Sequence, residues 1–330
     1  MSRGEPAALF ERAVGGDRGA LARLLSFVEG GGEPSRAVAR LGYRNAPPYV
    51  VGITGAPGAG KSTLTDQLVT VVRSGWPAVA ASDPIPGADA EAVEQIAVLA
   101  IDPTSPFTGG AILGDRARMQ RHATDPTVFI RSMATRGHLG GLALAVPDAL
   151  RVLGAVGVPV VVVETVGVGQ VEVEVAGASD TTVVVVTPGW GDSLQAAKAG
   201  LLEVADVFVI NKADRPGAIE AGRDLRQMLS LGVPTEWNPP ILETVGTTGE
   251  GVEALWAAVA GHRAYLSASG LLESRRAVRV EHELRKVLAS RIEARLDVLT
   301  GSAEYKEALE AVREGRADPY EVAEALLESS

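Results

Sequence analysis

The stretch Gly55-Ala-Pro-Gly-Ala-Gly-Lys61-Ser62 decides the fold, because it matches the phosphate-binding pattern G-x-x-x-x-G-K-[ST]. An apolar run over residues 49–53 precedes it and is typical of a buried strand, while residues 62–72 carry apolar side chains at helical spacing. A strand, a glycine-rich loop and a helix in this order surround a phosphate with backbone N–H groups and the positive end of a helix dipole. The sequence therefore predicts a nucleotide phosphate site, and a chance glycine turn is the weaker interpretation.

Two side chains of this loop have expected roles of their own. The Lys61 ammonium would bridge the β- and γ-phosphates, and the Ser62 hydroxyl would hold Mg²⁺. The predicted phosphate-binding residues form one continuous set: Gly55, Ala56, Pro57, Gly58, Ala59, Gly60, Lys61, Ser62 and Thr63.

Short apolar runs alternate with helical patterns from residue 49 to about residue 265. These runs are continuously apolar rather than alternating, which indicates strands that are buried on both faces. We therefore predict an α/β fold, a mostly parallel sheet with helices on each side, and ligands at the carboxyl ends of the strands. The strand candidates are 49–53, 96–101, 127–131, 158–163, 182–187, 206–210 and 240–244.

Three regions are predicted along the chain. Residues 1–46 form an N-terminal helical extension that looks separate, residues 47–265 the P-loop domain, and residues 266–330 a charged C-terminal helical arm. The arm either mediates dimerisation or partner binding, or simply packs on the sheet. Residues 82–95 are interpreted as a surface insertion without an assigned function.

Composition excludes several classes of function. The formal net charge of −10 argues against a nucleic-acid-binding surface, which is usually basic. The sequence contains no cysteine, which excludes disulfides and thiolate metal sites. It shows no apolar signal core at its start and no apolar run of the ~18 residues that a bilayer span needs. We therefore expect a cytoplasmic protein that binds neither nucleic acid nor a membrane.

The motif Asn211-Lys-Ala-Asp214 follows a predicted strand and matches the guanine-reading pattern N-K-x-D. The Asp214 carboxylate can accept hydrogen bonds from guanine N1–H and N2–H₂, a donor pair that adenine lacks, and a mismatched base would leave a polar group unpaired. Asn211 can bind the base edge and tie back to the P-loop, and the Lys212 stem can cover the ring. A further loop, Val245, Gly246 and Thr247, fits a base-contacting role only loosely.

The stretch Glu164-Thr-Val-Gly167 ends another predicted strand, where a P-loop enzyme places its second acidic residue and the glycine that meets the γ-phosphate. Val168 follows, so the position after Gly167 offers no glutamine to orient water, and we predict slow intrinsic hydrolysis. Gln170 could act instead, although it lies three residues beyond Gly167. Asp102 closes a strand and is a further candidate for the Mg²⁺ shell. Asp115 is another, although it could instead start a helix.

The predicted Mg²⁺ ligands are therefore Ser62, Asp102, Asp115 and Glu164, and the predicted catalytic residues so far are Lys61, Glu164 and Gly167. Four arginines are possible internal sources of positive charge during hydrolysis: Arg116, Arg118, Arg121 and Arg131.

Several motifs together resemble one known family, the MeaB/ArgK-like G-protein chaperones of B12-dependent acyl-CoA mutases, also called methylmalonyl-CoA mutase-associated GTPases. The long stretches 108–116 and 163–170 are far more specific than a P-loop. The matching stretches are 52–63, 99–105, 108–116, 163–170, 188–195 and 209–214.

This resemblance implies a homodimeric GTPase that binds GTP and GDP with Mg²⁺. It also implies a B12-dependent acyl-CoA mutase as partner, such as methylmalonyl-CoA mutase, with adenosylcobalamin bound only through that partner and its loading gated by the GTPase. Residues 189–200 correspond to a mobile coupling loop, in which Lys198 is a catalytic candidate or else a solvated helix lysine. The chain departs from the family pattern at Val245-Gly246, at Ala199 and in the 82–95 insertion.

Two other functions remain open at this stage. A P-loop kinase or transport-linked ATPase would share the phosphate loop, but Asn211 and Asp214 argue against adenine. A nickel metallochaperone GTPase would share the architecture, but that role needs a Cys/His cluster, and the four histidines are scattered.

Overall fold

A computed structural model describes residues 5–74, 95–103, 119–122, 124–135, 141–165, 175–189, 204–231 and 236–328. Residues 82–94 of the predicted insertion lie outside these ranges. No helix of the described residues is long and apolar enough to cross a membrane.

The centre of the molecule is a seven-stranded sheet with strand order β3-β2-β4-β1-β5-β6-β7, and every pairing in it is parallel. This confirms the predicted α/β class, and each predicted apolar run overlaps one observed strand. The strands are β1 Tyr49–Gly55, β2 Ile96–Pro103, β3 Val128–Thr135, β4 Val160–Thr165, β5 Thr181–Val186, β6 Val207–Asn211 and β7 Ile241–Thr244.

Helices precede, connect and follow these strands along the described part of the chain. They are α1 Glu5–Val14, α2 Arg18–Gly30, α3 Gly32–Gly42, α4 Lys61–Arg73, α5 Gly141–Ala155, α6 Ala218–Ser230, α7 Val252–Ala268, α8 Leu271–Thr300, α9 Ala303–Arg313 and α10 Pro319–Glu328. A short 3₁₀ turn covers Gln120–His122.

Successive side chains of a strand point to opposite faces, so the sheet carries a hydrophobic core on each side. Val50 belongs to the first core, which also contains Leu24 and Leu25 of α2. Val51 belongs to the second core, together with Leu64 of α4 and other residues of α4 and α7. The helices predicted as a separate N-terminal extension therefore share a core with the sheet.

Contacts divide the chain into two compact units, residues 1–279 and residues 280–330. Within the second unit no described residue is buried. Its part of α8 carries Leu284, Leu288, Ile292 and Leu296 at intervals of four residues, 58%, 53%, 68% and 51% exposed. The predicted domain boundaries near residues 46 and 265 stay predictions.

Candidate functional site

The P-loop connects the carboxyl end of β1 to α4, and two of its glycines are required by close contacts. Gly55 has φ +138°, and a Cβ there would lie 2.0 Å from the carbonyl oxygen of Val185 on β5. Gly60 has φ +87°, and a Cβ there would lie 2.5 Å from Nδ2 of Asn211. Only glycine satisfies both the left-handed backbone and the lack of space. The first turn of α4, beginning at Lys61, then presents N–H groups without helical acceptors to a phosphate.

Lys61 is 5% exposed and its ammonium is held over its own loop. Nζ donates to the carbonyl oxygens of Gly55 at 2.7 Å and Ala56 at 3.1 Å. These neutral acceptors keep the charge at the mouth of the loop, where phosphate oxygens would be stronger acceptors for it. The position therefore suits the predicted phosphate-binding role.

Ser62 and Glu164 meet beside the loop. The Ser62 hydroxyl donates to Oε1 of Glu164 at 2.5 Å, and both residues are buried. Glu164 is there because β4 pairs with β1 in a register that sets it opposite Ile53. A hydroxyl and a carboxylate are oxygen ligands of the kind that Mg²⁺ prefers, so the two residues fit a magnesium site.

The remaining predicted metal and catalytic residues are less well defined. Asp102 lies near the carboxyl end of β2, two residues beyond Ala100, which pairs with Glu164 of β4. Its backbone is thus at the edge of the sheet where the P-loop lies. Asp115, Gly167 and Lys198 lie outside the described residues.

Asn211 joins the P-loop to the last strand of the sheet. It ends β6, is 2% exposed, and its Nδ2 donates to the Ala59 carbonyl at 2.8 Å. Its Oδ1 accepts from the backbone N–H of Gly246 at 3.0 Å and from the Thr244 hydroxyl at 3.1 Å. The predicted tie from Asn211 to the P-loop is thereby confirmed, and its contact with a base stays a prediction.

Lys212 is a non-glycine residue with a positive φ, 61°, and this backbone turns its side chain toward the phosphate loop. Its Nζ donates to the Gly58 carbonyl at 2.6 Å, a contact that the sequence did not suggest. A left-handed backbone at a long side chain is uncommon and is usually held by its surroundings. Here the Ala213 N–H donates to the Thr244 carbonyl at 3.0 Å, and Asp214 is left exposed beside it.

The loop after β7 supports Asn211, and its own contact with a base stays a prediction. The Gly246 N–H donates to Asn211, the Val245 side chain is apolar and buried, and Thr247 is exposed. Sequence reasoning missed Thr244, whose hydroxyl fixes Asn211. Its position was a usable signal, because it ends the strand that neighbours β6.

Arg131 is not available as a source of charge for hydrolysis, contrary to the prediction. It binds α2, donating to the Ala22 carbonyl at 3.0 Å and to Glu29 at 2.8 Å. Arg121 is 67% exposed and lies 3.8 Å from Asp66. Arg116 and Arg118 lie outside the described residues.

Comparison with known proteins accords with this geometry. A family profile described as methylmalonyl-CoA mutase-associated GTPase MeaB matches residues 21–300. The chain belongs to the MeaB family. It is accordingly a P-loop GTPase, and the resemblance drawn from the motifs is confirmed.

Relatives of the MeaB family match over most of this chain. One relative is a Pyrococcus abyssi protein that is provisionally named a GTPase. It is 46% identical over 324 residues, covering 97% of this chain and 95% of that one. The crystal structure of a LAO/AO transport system kinase has a TM-score of 0.67 and 26% identity, covering 99% of this chain and 98% of that one. A fused isobutyryl-CoA mutase of Cupriavidus metallidurans is 37% identical over 231 residues, which is 69% of this chain and 20% of that protein.

Proposed function

We propose that this GTPase gates the loading of adenosylcobalamin into a B12-dependent acyl-CoA mutase and protects the loaded enzyme. The observation that carries the proposal is the fused isobutyryl-CoA mutase, in which a segment similar to this chain belongs to the same polypeptide as a mutase. Fusion holds two activities at high effective concentration, which favours partners that act together. The family description names a mutase as well.

For nucleotide recognition we assign separate roles to the phosphate loop and the base motif. Residues 55–63 would hold the phosphates of GTP or GDP, with Lys61 exchanging the carbonyls of Gly55 and Ala56 for phosphate oxygens. Asp214 would read guanine, and Asn211 would keep the base motif in register with the loop. Val245, Gly246 and Thr247 would border the base.

We assign the magnesium site to Ser62 and Glu164, with Asp102 and Asp115 as further ligands. Bound Mg²⁺ would neutralise charge that develops on the phosphates. The hydroxyl and carboxylate of Ser62 and Glu164 are already 2.5 Å apart, so the protein supplies oxygen ligands at the mouth of the loop. Gly167 would meet the γ-phosphate, and the absence of a glutamine after it makes the intrinsic hydrolysis slow.

We also assign a homodimer to this chain, built on the apolar row of α8. Leu284, Leu288, Ile292 and Leu296 are each more than half exposed, and such continuous apolar surface usually marks an interface. Ile292→Asp should convert the dimer to a monomer in sedimentation velocity. Val298→Asp is the matched control, because Val298 lies on the same helix and is 77% exposed but lies outside this row.

The mutase proposal is tested by hydrolysis and capture with purified enzymes. GTP turnover is measured with and without isobutyryl-CoA mutase and methylmalonyl-CoA mutase, each with and without adenosylcobalamin. We expect one of them to raise turnover by at least about tenfold, because the partner would order the catalytic groups, with Lys198 as a contributing residue. Turnover that stays equal with every mutase, together with no capture in GTP or GDP, would reject the proposal.

Lys61→Ala serves as the nucleotide-defective variant in that experiment, and Lys306→Ala as the matched lysine control on α9. A panel of GTP, GDP, ATP and xanthosine triphosphate separates the guanine assignment from the mutase assignment, since it needs no partner. The predicted cytoplasmic location stays a prediction.

A further inference from the structure

The amino ends of β1, β5 and β6 are joined by two aspartates. Asp180 stands directly before β5, its N–H donates to the Val50 carbonyl at 2.8 Å, and its Oδ2 accepts from the Val50 N–H at 2.9 Å. Asp206 repeats this arrangement before β6, with its N–H 2.9 Å from the Thr182 carbonyl and its Oδ2 2.8 Å from the Thr182 N–H. Each carboxylate therefore extends the ladder and ties one strand to the next.

The first turns of α8 supply the opposite charge. Arg276 is bidentate, with Nε 3.1 Å from Oδ1 and Nη2 2.8 Å from Oδ2 of Asp180. Arg279 donates to Oδ1 of the same carboxylate, and Arg275 lies 3.1 Å from Oδ1 of Asp206. We call Asp180, Asp206, Arg275, Arg276 and Arg279 the arm-root cluster.

This attachment is mainly ionic. No residue of α8 is buried, and in its first turn Leu272 only partly enters the core. The Asp180 side chain is 1% exposed, and those of Arg276 and Arg279 are 23% exposed. Burial alone would raise the pKa of Asp180, but the hydrogen bonds and charges of the two arginines outweigh it and lower that pKa below its usual value. Ion pairs in such a site are screened little by salt.

The same strands carry the nucleotide residues at their other ends. β1 runs into the P-loop at Gly55, β6 ends at Asn211, and Val185 of β5 lies against Gly55. Strands are stiff, and the longest of these spans about 20 Å. A ligand that restrains their carboxyl ends therefore also restrains the backbone to which the arginines are bound.

We propose that the arm-root cluster couples nucleotide binding to the start of α8, so that an occupied P-loop stabilises the helix over residues 275–282. The coupling is one of mobility: when the strands are restrained, the ion pairs stay closed for a larger fraction of the time, and the turns held by them open less often. Coupling of this kind is reciprocal, so a helix that opens more easily also weakens nucleotide binding. The inference goes beyond the mutase proposal and needs only nucleotide binding.

Hydrogen exchange on the full-length protein tests the coupling. With Mg²⁺ and GDP, or a non-hydrolysable GTP analogue, we expect amide exchange over residues 275–282 to slow by at least about threefold, and the P-loop amides to slow as well. P-loop protection without any change over residues 275–282 would overturn the inference. The P-loop amides report nucleotide binding independently, so a failure of binding is recognised as such.

Variants then test the route. Arg276→Gln should remove most of the nucleotide-dependent difference over residues 275–282 while P-loop protection persists. Arg285→Gln, on the same helix but 75% exposed and paired with Glu281, should retain the difference. If Arg276→Gln does not fold, Arg275→Gln breaks the Asp206 branch at a side chain that is 42% exposed, and about half of the difference should be lost. A full difference in every folded variant would show that the cluster is not the route.

Discussion

The two ends of the parallel sheet are both lined by charged side chains, but their partners differ. At the carboxyl ends, Lys61 and Lys212 rest on carbonyls of the phosphate loop, which are neutral acceptors. At the amino ends, Asp180 and Asp206 are bound by guanidinium groups and backbone amides of their own chain. Phosphate oxygens are stronger acceptors than these carbonyls, so a ligand can replace the contacts at the carboxyl ends, whereas the contacts at the amino ends are buried ion pairs within the chain. The carboxyl ends of the sheet are therefore suited to ligand binding, and the amino ends are suited to holding the start of α8.

The largest effect should come from removing the charge at the carboxyl end. Lys61→Ala should lower kcat/KM for GTP by about 1,000-fold, because the loop then lacks the cation that stabilises charge on the phosphates. Thermal unfolding should change much less than activity, since the hydrogen bonds lost to the Gly55 and Ala56 carbonyls involve neutral acceptors. Steady-state kinetics and a melting curve check both parts; a large fall in Tm would show that Lys61 is mainly structural.

The corresponding change at the amino end should act on stability. Asp180→Asn should lower the free energy of unfolding by about 3 kcal/mol, because Arg276 and Arg279 then lack their counter-charge in a mostly buried site. Urea denaturation measures the loss. Glu310→Gln, whose pair with Arg313 is exposed, is the control and should cost less than about 0.5 kcal/mol. A similar small loss for both would erase the distinction between the two ends.

Selection of the base tests the nucleotide site at the carboxyl ends of the strands. Asp214→Asn should weaken GTP binding by about 100-fold and favour xanthine nucleotides, because the amide presents a donor where guanine needs an acceptor. Calorimetry with both nucleotides measures the change. Asp214 is exposed, so the variant should fold as the parent does. Unchanged selectivity would move the base away from this residue.

A smaller effect is the pH dependence of stability that arises at the amino ends of the strands. His262 is fully buried, its Nδ1 lies 2.8 Å from the Thr181 hydroxyl, and its Nε2 lies 3.2 Å from Asp206. Burial lowers its pKa to about 4, against the charge of Asp206, which would raise it. The unfolded chain, with an ordinary pKa near 6.5, therefore binds more protons between these values, and stability is full above pH 6.5 and falls toward pH 4.

From pH 6.5 to pH 5 this histidine should reduce the free energy of unfolding by about 2 kcal/mol. The lowered pKa of Asp180 acts only below its usual 3.8, so the two effects are separated in pH. Urea titrations at several pH values measure the slope, which His262→Gln should flatten and His282→Gln, at an exposed site, should leave unchanged. An identical slope in the two variants would assign the effect elsewhere.

Local sequence patterns predicted much of the fold and the nucleotide motifs at the carboxyl ends of the strands. Continuous apolar runs identified the strands, and a motif such as Asn211-Lys-Ala-Asp214 carries its chemistry within four residues. The arm-root cluster was not predictable in this way, because its partners are 69 to 99 residues apart and nothing in their spacing pairs them. For the same reason the sequence did not reveal that the N-terminal helices share a core with the sheet, or that Arg131 binds Glu29. An amphipathic pattern indicates that one face of a helix is buried, but it does not identify the element against which that face packs.

The row of apolar side chains on α8 has a geometric consequence. Its members recur at every fourth residue, from Leu284 to Leu296, rather than at the alternating three- and four-residue steps of a coiled coil. Two ridges of this kind interdigitate when the helix axes cross at about −50°. In a dimer that buries this row, the two copies of α8 would therefore cross at a steep angle. They would touch over a short region near the crossing point, and their outer turns would stay apart.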